Sequence, residues 1–170
     1  MSKQFVAVLM GSDSDLPVMQ STLDVLEKLG INYEVKITSA HRTPAATHTY
    51  VKDADSRGCA VFICAAGLAA HLAGSVAGLT LKPVVGVPLD AGPLQGMDAL
   101  LSTVQMPGGI PVATVAVGKA GAKNAAYLAA QMIALSDETL AKRIAEERLA
   151  NEAAVLEKDR QLQISLADKE

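Results

Sequence analysis

Aromatic side chains are scarce in this 170-residue chain, which has two Phe, three Tyr and no Trp. A chain of this length is long enough for one domain with a sizeable core. That core must therefore be filled by aliphatic and small residues, and Ala alone occupies 29 positions. With so few rings there is little to stack on a flavin. A basic excess is missing too. The net charge is −3 and the pI is near 5.6, which leaves no electrostatic footprint for nucleic acid. The two cysteines, Cys59 and Cys64, are five positions apart and match no zinc or redox spacing. They read as small buried hydrophobes in a reducing compartment. No apolar run reaches the ~20 residues needed to span a bilayer. Met1-Ser2-Lys3-Gln4 leads straight into a strand-like run rather than a signal segment, so a cytoplasmic location is expected. A hydrophobic content of 50% excludes disorder.

Charge is also thin over most of the chain. Fourteen charged residues fall between 138 and 170, which leaves nineteen for the first 137 positions. A monomer would need more to keep its surface wet, so a homo-oligomer is expected.

Several nucleotide and catalytic signatures are missing. There is no Gly-x-x-x-x-Gly-Lys-Ser/Thr loop, since Gly118-Lys119-Ala120-Gly121 lacks both the spacing and the hydroxyl. Neither a Gly-x-Gly-x-x-Gly fingerprint nor a Gly-x-Ser-x-Gly elbow occurs, and no His/Cys/carboxylate cluster has metal spacing. Neither a metal nor a cofactor is expected.

What is present is alternation. Apolar runs at 5–10, 33–37, 60–65, 83–87 and 111–117 read as buried strands, the first and last covered on both faces. Helical patterns lie between them. Val18, Leu23, Leu26 and Leu29 share one face, and Gly30 closes that helix. Further helices are predicted over 44–56, 68–77, 97–104 and 124–135. The expectation is a three-layer, flavodoxin-like α/β fold with a central parallel five-stranded sheet and helices on both faces. A C-terminal helical arm follows. Residues 1–135 would form the core of a single domain. In 136–170, capped by Ser136, Leu140, Ile144, Leu149, Ala153 and Leu156 make an irregular apolar stripe on a charged background. This helix either lies on its own domain or, the preferred reading, is laid across a neighbouring subunit.

In open parallel sheets, ligands bind beyond the carboxyl ends of the strands. Three loops are suited to that position. In Gly11-Ser12-Asp13-Ser14-Asp15 the glycine permits a tight turn, and two hydroxyls sit beside a helix start, which suits a phosphate. Asp15 would repel a phosphate and suits a ribose hydroxyl or a helix cap. In Ser39-Ala40-His41-Arg42-Thr43-Pro44 a proton carrier adjoins a fixed positive charge. Arg42 with Ser12 and Ser39 would complete a phosphate clamp. His41, the one histidine expected at a strand's carboxyl end, has the side chain to act as both acid and base. In Ala65-Ala66-Gly67 small side chains either expose backbone to a ligand or pack a helix start tightly. His71 reads as a packed or interface histidine and His48 as helix surface.

The order and spacing of these segments resemble the class I N5-carboxyaminoimidazole ribonucleotide mutases of bacterial purine synthesis. Ala69-Ala70-His71-Leu72, Val104-Gln105-Met106-Pro107-Gly108-Gly109-Ile110-Pro111-Val112-Ala113-Thr114 and the Ala-rich helix from Asn124 to Gln131 add to the likeness, which covers nearly the whole chain. The resemblance implies a cofactor-free enzyme that moves a carboxylate from the exocyclic nitrogen to C4 of an aminoimidazole ribonucleotide. By analogy Ser12, Ser39 and Arg42 bind the 5′-phosphate, Asp15 binds the ribose and His41 is the general acid/base. The segment containing Ala66 and Gly67 would wall a small dry cavity for CO2. The family is octameric, with its C-terminal helix reaching over a neighbour. This chain departs from the family's Gly-Ala-Gly-Gly-Ala-Ala-His-Leu-Pro-Gly pattern, having Ala65 and Leu68 in place of glycines, and both are expected to avoid left-handed backbone angles. Two other functions compete. A class II enzyme carboxylates the aminoimidazole directly, but carries Lys in place of Arg42 and lacks Pro44. A non-enzymatic nucleotide-binding module would need the clamp but not His41.

Overall fold

The computed structural model describes residues 4–167; positions 1–3 and the arm's last three residues, 168–170, lie outside the described residues. Two compact units are present, Met1–Met132 and Ile133–Glu170.

The first unit is a parallel five-stranded sheet in the order β2-β1-β3-β4-β5. The strands are β1 (Phe5–Met10), β2 (Asn32–Ile37), β3 (Cys59–Ala66), β4 (Val84–Pro88) and β5 (Ala113–Thr114). Helices α1 (Leu16–Lys28), α2 (Pro44–Ser56), α3 (Leu72–Ala77), α4 (Met97–Val104) and α5 (Gly118–Ala134) connect or follow them. The flavodoxin-like expectation holds.

β1 lies inside the sheet between β2 and β3, and all six of its residues are buried. Its side chains alternate between the faces. Phe5, Ala7 and Leu9 join Val51 and Ala54 of α2, Leu72, Ala73 and Val76 of α3, and Phe62 and Cys64 of β3 in one cluster. Each aliphatic side chain removed from water there contributes about 1.5–3 kcal/mol. On α5, Ala122, Ala125, Ala126, Ala129 and Ala130 are fully buried at helical spacing, and the Thr22 hydroxyl of α1 reaches the Ala122 carbonyl at 2.7 Å. Small residues permit that approach, and alanine does here what aromatic residues do in other cores. Gly30, at φ 66°, ends α1: its N–H donates to the Glu27 carbonyl and that of Ile31 to the Leu26 carbonyl.

Four expectations need correction. β2 is an edge strand, with Val35 and Ile37 exposed rather than buried. β5 is a half-buried edge of two residues, because Pro111 and the preceding glycines keep the start of its apolar run out of the ladder. α3 begins at Leu72 rather than 68, since the backbone at Leu68 is left-handed. α5 begins at Gly118, six residues before the predicted start.

The second unit holds α6 (Glu138–Ala167), a helix of 30 residues and about 45 Å in length. Asp137, not Ser136, caps it: its Oδ1 accepts the Leu140 N–H at 2.9 Å. Leu149, Val155, Leu156, Leu162, Ile164 and Leu166 are exposed on it. No helix among the described residues is long and apolar enough to cross a membrane.

Candidate active site

The carboxyl ends of β1, β2 and β3 are level, because Met10 pairs with both Ile37 and Ala65. From β1 the chain passes to β2 on one side and then to β3 on the other, so the sheet's switch point lies here. The three loops emerge side by side around a cavity of about 390 Å³. Ser12, Asp15, Ser39, His41, Arg42, Ala66 and Gly67 all line it, together with His71, Leu68 and Ala91.

The first loop is a capping box. The Ser12 hydroxyl accepts the Ser14 N–H at 3.3 Å, and the Asp15 carboxylate accepts the Ser12 N–H at 3.0 Å. The Ser14 hydroxyl donates to that of Ser12 at 2.9 Å. Burial pushes the Asp15 carboxyl above its usual value, against the opposing pull of its backbone hydrogen bonds to Ser12 and Gly11. Gly11 does not adopt a positive φ, so the turn itself does not demand glycine.

The second loop is held by its own side chains. Ser39 Oγ accepts the Arg42 N–H at 3.1 Å, and Thr43 Oγ1 accepts the Ser39 N–H at 2.9 Å. Below them the hydroxyls of Thr38 and Thr47 share a buried 2.7 Å hydrogen bond. Pro44 then sets the first turn of α2. The Arg42 guanidinium crosses to the first loop and donates to the Gly11 carbonyl at 3.1 Å. A positive charge therefore stands between the two serine-bearing loops, which is the arrangement a phosphate needs.

The third loop differs from expectation in two ways. His71 precedes α3 instead of lying inside it, and is exposed instead of packed. Its Nδ1 lies 2.7 Å from His41 Nε2, with the rings nearly perpendicular at 76°. Nothing at the sequence level pairs residues thirty positions apart; only the level strand ends bring them together. The second correction is Leu68, which takes φ 56° and so occupies the left-handed region that a glycine would adopt freely. That conformation costs a Leu about 1–2 kcal/mol. Gly67 is required for a different reason: a Cβ there would stand 2.6 Å from the Ala91 Cβ. His48 is exposed on α2, as expected.

Cys59 and Cys64 are free and buried away from this cavity. Burial pushes the Cys59 thiol up to about 11 and that of Cys64 higher still, so both are inert. Among the described residues no group of three or more His, Cys, Asp or Glu is placed to hold a metal ion.

Residues 5–154 match the family described as AIR carboxylase. The N5-carboxyaminoimidazole ribonucleotide mutase of Thermotoga maritima is 49% identical over 158 residues, covering 93% of this chain and 91% of the relative. That of Bacillus subtilis is 50% identical, covering 92% and 97%. A crystal structure of Treponema denticola PurE superposes with a TM-score of 0.84 at 30% identity, covering 94% of this chain and 98% of that one. The chain belongs to the AIR carboxylase family.

Proposed function

We propose that this chain is an N5-carboxyaminoimidazole ribonucleotide mutase of purine biosynthesis, with its active site in the 390 Å³ cavity. The observation that carries the reading is the convergence there of a hydroxyl-and-guanidinium cradle with a histidine held at its mouth. Mutases at about half identity over nine-tenths of the chain support it.

The cradle of Ser12, Ser39 and Arg42 takes the 5′-phosphate, and Asp15 takes the ribose. Fixing the phosphate anchors the ring beside His41 and so removes most of the orientational freedom of the reacting atoms. The exocyclic N–C bond of the carbamate then breaks. Carbon dioxide departs, and the electron pair left on nitrogen takes a proton from the His41 imidazolium. C4 of the electron-rich ring adds to the same carbon dioxide. His41, now neutral, removes the C4 proton and returns to its starting state. Atoms and electrons balance without a redox step or an added reactant, so no cofactor is called for. His71 is a positioning residue in this scheme, fixing the plane of the His41 ring through the 2.7 Å contact. Ala66 and Gly67 form the small-residue wall behind the ring. The enzyme works in the cytoplasm as a homo-octamer, with 136–170 as an arm over a neighbouring subunit beside the 1–135 core.

The test is carboxyl-labelled substrate in unlabelled bicarbonate. Retention of label in the product identifies a mutase; dilution, with turnover dependent on added CO2, identifies a direct carboxylase.

A further inference from the structure

Leu68 and Gln95 are the two non-glycine residues with positive φ among those described, at 56° and 51°. They belong to two loops that meet at the cavity, residues 67–71 after β3 and 89–96 after β4. The loops interlock through two complementary pairs. A Cβ on Gly67 would stand 2.6 Å from that of Ala91, and one on Gly92 would stand 2.5 Å from Leu68 Cδ2. Gly92 itself has φ +76°. The Leu68 side chain therefore occupies the space that a side chain at 92 would fill.

Leu68 is still 52% exposed, and it lines the cavity. A large apolar side chain that is half in water gains little from burial, so core packing does not account for the strained backbone that holds it. The residues beside it in the lining (Ala66, Ala69, Ala91) carry no polar side chain. Apart from His71, which is paired with His41, the polar side chains of the lining (Ser12, Ser14, Asp15, Ser39, His41 and Arg42) come from the first two loops. Leu68 thus covers the apolar side of a cavity whose other side is built to bind a phosphorylated sugar.

We infer that Leu68 is a positioning residue for the carboxyl transfer: locked over Gly92, it closes the apolar side of the cavity and keeps released carbon dioxide beside the ring. The inference rests on the mutase reading. Carbon dioxide is small, uncharged and without a hydrogen-bond donor, so only steric closure and exclusion of water hold it between leaving nitrogen and adding to carbon. A shorter side chain at 68 opens a path to bulk solvent without touching the phosphate cradle or His41.

The experiment uses the full chain with carboxyl-13C substrate in unlabelled bicarbonate, comparing the parent with Leu68→Gly and Leu68→Met. Glycine adopts φ 56° freely, so Leu68→Gly removes the side chain and relieves the backbone together, and its melting temperature checks the fold. The expected result is a parent that retains label. In Leu68→Gly the label is diluted several-fold more and decarboxylated aminoimidazole accumulates, with KM changed by less than about threefold. Leu68→Met, which keeps an apolar side chain of similar volume, retains label as the parent does. Equal label retention in the parent and in Leu68→Gly overturns the inference alone. So does dilution in Leu68→Gly that Leu68→Met shows equally. Dilution already complete in the parent overturns the mutase reading and the inference with it.

Discussion

His41 and His71, thirty residues apart in the chain, meet at 2.7 Å between Nε2 and Nδ1 at the mouth of the cavity. At that distance one nitrogen donates and the other accepts, so the two facing atoms cannot both carry protons. The contact constrains the ring plane of His41.

Replacing His41 by Asn is expected to lower kcat by roughly 10²–10⁴-fold, the range of general acid–base catalysis. Substrate affinity should change little, as measured by calorimetry with substrate or product. A largely active variant would move the chemistry to another residue.

For His71 two variants are informative. The Asn amide can occupy the place of the imidazole Nδ1 and keep the contact with His41, whereas Ala cannot. His71→Ala should lose about tenfold to a hundredfold in kcat, less than loss of the acid/base itself. His71→Asn should keep most of the activity, and KM should hold in both. Equal loss in the two variants would assign His71 a role other than orienting His41.

Arg42→Ala removes the charge between the two serine-bearing loops and its bond to the Gly11 carbonyl. A hydrogen bond to a charged group contributes about 1.5–3 kcal/mol, so KM should rise by roughly one to two orders of magnitude. Arg42→Lys should recover part of the affinity, because it keeps the charge but not the fork. Unchanged affinity in Arg42→Ala would place the phosphate elsewhere.

Away from the site, the two terminal guanidinium nitrogens of Arg57 bond the Glu34 carboxylate, and its Nε pairs with Asp53 at 2.7 Å. The Arg57 hydrogen bond is the main cause that holds the Glu34 carboxyl below its ordinary 4.5. A lowered carboxyl gives stability that is fully present above its unfolded value and is lost as pH falls through the folded one. Between about pH 6 and pH 3, melting temperature should therefore fall less steeply in Glu34→Gln than in the parent. Parallel curves would show that the pair, which is partly exposed, contributes nothing measurable.

The arm reading is tested with Leu149→Glu and Leu156→Glu together. Both side chains are exposed on α6, so the helix should persist by circular dichroism. If they meet a neighbouring subunit, light scattering should show a smaller assembly. An unchanged mass would return α6 to its own chain.

Much of this protein is legible in its sequence. β1, α2 and α4 begin and end where hydrophobic periodicity, Pro44 and the flanking polar residues place them, because those signals are local. That Ser12, Ser39, His41 and Arg42 line one cavity follows from the same logic, since a residue that follows a strand in an α/β chain emerges at its carboxyl end. The near-absence of rings correctly points to an alanine-built interior, seen at Ala122, Ala126 and Ala130. Tertiary structure alone decided the rest. Nothing local says that β2 lies at a sheet edge, which is why Val35 and Ile37 look buried in sequence and are exposed in the fold. Nor does an apolar neighbourhood reveal that the chain turns left-handed at Leu68 and starts α3 only at Leu72. That turn carries His71 out of the apolar helix it seemed to belong to and sets it against His41. Periodicity reports which face of one element is apolar. Which loops share a cavity is determined by strand order and register, and those are properties of the packed sheet.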